Sequence, residues 1–127
     1  VMEGILTNHP DNYQALNYVG YTLAEENRDL ERAVKLLVRA DELSPNQSYI
    51  VDSLAWALFK SGRQEEALKE IRRAVKLGDQ VDSSIWEHYG DIALRSGLKD
   101  EARKAYQKAL DLKPANAEAL RQRLSTL

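Results

Sequence analysis

Apolar residues along this chain return at steps of three and four, the spacing of helix faces rather than strands. Leu16, Val19, Gly20 and Leu23 form one stripe, and Ala33, Leu37 and Ala40 begin a second. Both stripes then recur. Ala33, Ala67 and Ala102 lie 34 and then 35 residues apart; Ala40, Ala74 and Ala109 keep that interval, as do Leu37, Ile71 and Tyr106, while Gly20, Ala55 and Gly90 step by 35. Turn chemistry separates the stripes. Gly62 and Gly97 suit the left-handed residue that ends a helix, and Asn27 is the next most tolerant type at the matching place. Pro45 and Pro114 stop the second helix of their units, with Asn46 and Asn116 expected to cap the helices that follow. The first unit carries one extra turn residue at Asn27–Arg28, and a second extra residue falls between Gly78 and Asp82. The expectation is an all-α chain of three helical hairpins, closed by a polar seventh helix in ANAEALRQRLSTL.

Side-chain size gives the period its physical logic. Gly20, Ala55 and Gly90 fall where the two helices of a hairpin must approach closely, and Ala33, Ala67 and Ala102 answer from the partner helix. Larger side chains at such places would force backbones apart at about 1–3 kcal/mol each. A single hairpin cannot bury its apolar face, so stacked neighbours supply the core. The units are expected at 13–46, 47–81 and 82–115, with a capping helix over 116–127. Residues 1–12 read as the tail helix of a preceding repeat, as in a piece of a longer chain.

The third unit, through Trp86, Tyr89, Gly90, Ala102, Tyr106, Ala109 and Pro114, resembles the tetratricopeptide repeat pattern W-x₂-L-G-x₂-Y…A-x₃-F…P. The second resembles it through Val51, Leu54, Ala55, Leu58, Ala67, Ile71 and Ala74, with Asp79 in place of the proline. The first does so through Leu16, Val19, Gly20, Leu23, Ala33, Leu37, Ala40 and Pro45. The chain is also similar to repeat arrays of large bacterial envelope and cytoplasmic adaptor proteins. The resemblance implies a right-handed α-solenoid whose concave groove is lined by the first helix of each hairpin. By position, the groove would present Gln14, Asn17, Tyr18, Tyr21 and Glu25; then Tyr49, Asp52, Ser53, Trp56, Phe59 and Lys60; then Ser84, Glu87, His88, Asp91, Leu94 and Arg95. Five of these are aromatic, the usual anchors of a partner; the plainer alternative is packing against the next hairpin or a preceding unit. The family's clamp for a C-terminal carboxylate is missing, since Asn17, Tyr21, Ser53, Ser84 and His88 at the matching places include no lysine or arginine. Asp52, Glu87 and Asp91, set against Lys60 and Arg95, favour a partner segment with apolar and some basic side chains.

Composition narrows the function without changing the fold. The 127 residues are 43% apolar and 30% charged, with net charge −2 and no cysteine, which excludes thiol nucleophiles, thiolate zinc sites and disulfides. No run approaches the ~18 apolar residues of a membrane span, and the charge gives no general attraction to nucleic acid. Glu87, His88 and Asp91 could converge on one helix face, and a histidine with two carboxylates is a metal-binding set. Yet no second histidine falls nearby in the pattern, and no phosphate loop or nucleophile elbow is present. These three are therefore expected to face solvent or a partner, with no catalytic site, metal or cofactor, and Trp86 and Tyr89 are expected in the core. On the outer side Lys69, Arg72, Arg73 and Lys76, with Lys35, Arg39, Lys104 and Lys108, form a basic ridge. It is read first as complementing helix dipoles and second as a contact for lipid or nucleic acid. The functional expectation is a non-catalytic protein-interaction scaffold; the alternative is a structural module that oligomerises through its terminal faces.

Overall fold

The computed structural model describes residues 10–78 and 81–127. Seven helices follow in order: α1 Tyr13–Glu25, α2 Leu30–Leu43, α3 Ser48–Lys60, α4 Gln64–Lys76, α5 Ser83–Arg95, α6 Lys99–Asp111 and α7 Ala117–Ser125. No strand occurs among the described residues. Most of the expected tail helix over 1–12, and the inserted residue between Gly78 and Asp82, lie outside them.

Within each hairpin the turn has one design. Asn27, Gly62 and Gly97 all take left-handed backbone, with φ of 53°, 81° and 80°. In each, the next residue donates its N–H back across the turn, Arg28 to Leu23, Arg63 to Leu58 and Leu98 to Ala93, at 2.9 Å. This six-to-one closure satisfies a terminal carbonyl that the helix itself leaves open. The extra residue of the first turn is accommodated by a second left-handed residue, Asp29, at φ 44°.

Helix starts differ from the expectation. Asn46 does not cap α3; it supplies left-handed backbone at φ 66°, and Gln47 occupies the cap position without a side-chain capping bond. Asn116 sits at the start of α7, but its amide donates to Glu87 Oε1 at 2.6 Å instead of capping. The side chains that do cap are Asn12, accepting from Ala15 N at 3.0 Å, and Asp82, accepting from Ile85 N at 3.1 Å.

The small residues let the helices of a hairpin meet. A Cβ added at Gly20 would stand 2.6 Å from Leu37 Cγ, and one at Gly90 would overlap the Tyr106 ring. Ala33, Ala55, Ala67, Ala102 and Ala109 are fully buried beside them. One apolar cluster runs from Val19 through Trp56 to Ile92 and so crosses both hairpin junctions; a second joins Ala93, Tyr106 and Ala109 to Leu120 of α7. Every second helix also packs on the first helix of the next unit, and α6 packs on α7.

Candidate functional site

The first helices touch one another as well as their own partners: α1 meets α3, and α3 meets α5. Of the groove residues named from the sequence, Tyr21 and Glu25 of α1, Asp52, Trp56, Phe59 and Lys60 of α3 and His88 of α5 come together where these helices meet. Tyr18 of α1 and Tyr49 of α3 are exposed, at 55% and 36%, and Tyr21 and Phe59 are half-buried. Asn17 is half-buried as well, with its side-chain oxygen enclosed and lacking a hydrogen-bond partner.

The middle of this face is closed, which corrects the picture of free groove side chains. Trp56 is only 9% exposed and Asp52 6%. The indole N–H of Trp56 donates to Glu25 Oε1 at 2.6 Å, tying α3 to α1. His88 of α5 lies flat on the same indole, ring centroids 4.0 Å apart and planes within 19°, and its Nδ1 bonds Asp52 Oδ1 at 2.8 Å. Phe59 approaches the indole at 5.1 Å, Tyr21 faces the His88 ring at 6.4 Å, and Lys60 Nζ stands 5.4 Å from the Trp56 centroid. The aromatic residues at the centre thus pack repeat against repeat.

Glu87, His88 and Asp91 do not converge into one cluster, nor do they face solvent. His88 turns to α3, whereas Glu87 and Asp91 turn to α7. Arg123 Nη1 bonds Glu87 at 3.0 Å and Asp91 at 3.3 Å, and the Tyr106 hydroxyl donates to Asp91 at 2.5 Å. Arg123 also lies over the Tyr106 ring at 5.9 Å. Trp86 and Tyr89, expected in the core, are half-buried against it, and the Tyr89 hydroxyl donates to Glu101. Arg123, Asn116 and Tyr106 are the members of this face that sequence reasoning missed.

Proton affinities follow from the enclosure. Burial raises Asp52, with the His88 bond pulling the other way. At His88, burial opposes the charge, but the bond and charge of Asp52, then Asp91 and Glu87, outweigh it and leave the imidazole more basic than usual. Burial also raises Asp91 against the Tyr106 bond and Arg123, and it lifts Tyr21 to about 12 with help from Glu25, Asp52 and Glu87. A general acid or base needs an accessible reacting partner; here each shifted group is engaged with a neighbouring helix. Among the described residues no group of three histidines or carboxylates is placed to hold a metal, and no helix is long and apolar enough to cross a membrane.

The arginines of the outer basic ridge are held by acids. Arg72 forms two bonds to Glu101 at 2.8 Å, Arg73 reaches Asp41 at 2.5 Å and Glu70 at 3.0 Å, and Arg39 holds Asp11 at 2.8 Å. Two of these contacts join adjacent hairpins, α4 to α6 and α4 to α2. The arginines are engaged in the array, beyond any balance with helix dipoles.

Hairpins of this kind, stacked with their first helices on one face, define a helical solenoid. A family model described as tetratricopeptide repeat matches residues 53–117, and the chain belongs to that family. The TPR repeat-containing protein PA4667 of Pseudomonas aeruginosa is 31% identical over 87 residues, covering 68% of this chain and 14% of that protein. The chain thus spans about a seventh of that curated relative's length. Of solved structures, TTC0263, a thermophilic TPR protein of Thermus thermophilus, superposes with a TM-score of 0.80 at 19% identity, over 98% of this chain and 68% of its own. MamA gives 0.74 at 23% identity, over 89% and 65%. At such identities the two structures speak for the fold alone. The family's fold is that of protein-interaction modules, generally non-catalytic, and implies protein partners.

Proposed function

We propose that this chain is a non-catalytic scaffold that holds an extended or helical segment of a partner protein against the face of α1, α3 and α5, with Tyr18, Tyr21 and Tyr49 as its open contacts. The observation that supports this reading is the exposure of Tyr18 and Tyr49, two large rings on the first helices of their hairpins. Tyrosine gives a broad apolar surface with a polar tip at small entropic cost, which suits an anchor. Asp52, Trp56, Glu87, His88 and Asp91 form the floor beneath, already bonded among themselves and to neighbouring helices. Because Glu25, Asp52, Glu87 and Asp91 all have internal donors, apolar contact leads and attraction for basic side chains is secondary.

The test is affinity capture from the native source, comparing the chain with its Tyr18→Ala/Tyr49→Ala form. The double variant should lose at least about tenfold in affinity for the captured partner while helix content and urea midpoint hold. Unchanged capture would remove the assignment. A mass that grows with concentration in light scattering, lost in the same variant, would instead place these tyrosines in self-assembly.

A further inference from the structure

Three junctions on the inner face share one structural position, and two of them carry a contact there. On α3, Asp52 and Trp56 stand one turn apart, and His88 of α5 fits between them, bonding the first and stacking on the second. On α5, Glu87 and Asp91 stand one turn apart, and Arg123 of α7 fits between them, bonding both. The Asp52–His88 and Glu87–Arg123 bonds each reach 36 residues along the chain. On α1 the corresponding pair is Asn17 and Tyr21, and the residue in register is Ser53. Its hydroxyl is too short to cross and donates to the Tyr49 carbonyl at 3.0 Å, leaving the Asn17 oxygen without a partner. One junction position is therefore filled by serine, histidine and arginine in turn. Of these only histidine changes charge near neutral pH.

We propose that His88 is a proton-operated clasp between the second and third hairpins: protonated, it fastens α5 to α3 as Arg123 permanently fastens α7 to α5, and on losing its proton it lets that junction loosen. The groups around it favour the charged ring. From α1 come the Tyr21 ring and Glu25, which holds the Trp56 indole N–H; from α3 come Asp52 and the Trp56 face, with the Lys60 ammonium over that indole as an opposing charge; from α5 itself come Glu87 and Asp91, both held by Arg123 of α7. Asp82, at the start of α5, adds a further negative charge near Asp52. Burial raises Asp52 and its bond raises His88, so the pair binds a proton more tightly folded than unfolded. A raised folded affinity stabilises fully below the ordinary histidine value of 6.5, and that contribution is lost as pH climbs through the higher folded value. The clasp belongs to the array and needs no partner, so it stands or falls apart from the groove reading.

The test uses the 127-residue chain. Its two histidine rings are titrated by NMR, with His9→Gln to assign them, and urea unfolding is followed from about pH 6 to about pH 8. His88 should titrate above 6.5, and the unfolding constant should rise about threefold or more over that range. Asp52→Asn should abolish both effects, and His88→Arg should keep the midpoint level across the range. A His88 ring that titrates at or below 6.5 in the native chain, or a pH-dependent fall undiminished by Asp52→Asn, would overturn the clasp. Should either variant fail to fold, the titration of the unaltered chain decides.

Discussion

Gly90 and Gly20 occupy equivalent places, yet they press on different neighbours. Opposite Gly20 lies Leu37, an aliphatic chain with two rotatable bonds that can swing part of the way aside. Opposite Gly90 lies the flat ring of Tyr106, fully buried and tethered by its hydroxyl to Asp91. A methyl group at Gly90 must therefore move a ring that is pinned at its far end, or shift α5 away from α6. Gly90→Ala should cost about 3 kcal/mol and Gly20→Ala about 1 kcal/mol in urea unfolding. Equal costs would mean that the hydroxyl tether does not restrain the ring. The same tether explains why Tyr106, rather than another Leu or Ile, can fill the space over a glycine: its polar tip reaches a carboxylate at the inner face while its body seals the hairpin.

At the scale of helices, the outer contact between α4 and α6 rests on Glu101, which receives two bonds from Arg72 and one from Tyr89. The Arg72 bond, more than any other influence, holds the Glu101 carboxyl below its ordinary 4.5, against the pull of partial burial. A depressed folded value stabilises above 4.5 and that support is lost as pH falls through the lower folded value. Thermal midpoints should therefore drop between about pH 5 and about pH 3, and the drop should be smaller in Arg72→Gln; a drop of equal size would place the acid sensitivity elsewhere. The helices and their turns are legible in the sequence because they depend on local signals: three- and four-residue stripes, small residues at one interval, and Gly62, Gly97 and Asn27 where left-handed backbone is needed. Contacts between units are not. Asp52 and Trp56 read as open groove residues because periodicity says which face a residue lies on, not whether the following helix covers it. One signal would serve: an acid followed 36 residues later by a base, one step beyond the repeat interval, as with Asp52 and His88 or Glu87 and Arg123. The caps escape sequence reading for a related reason, since Asn46 is needed for its backbone and Asn116 for a distant carboxylate.

Across the whole molecule, stability is shared between neighbours rather than pooled in one centre, as in any linear array. The seventh helix contributes one fully buried side chain, Leu120, and one bridging cation, Arg123. Leu120→Ala should cost about 2–4 kcal/mol, and amide exchange should quicken first in α5 and α6, with α1 and α2 little changed. Uniform acceleration over all the helices would instead mean that the array unfolds as a single unit. The two edges of the stack are laced separately, the outer by Arg72 and Arg73, the inner by Trp56, His88 and Arg123. A beam fastened along both margins resists flexing either way. Slackening only the inner lacing would leave the external fastenings as the pivot about which neighbouring hairpins turn, with every helix still wound.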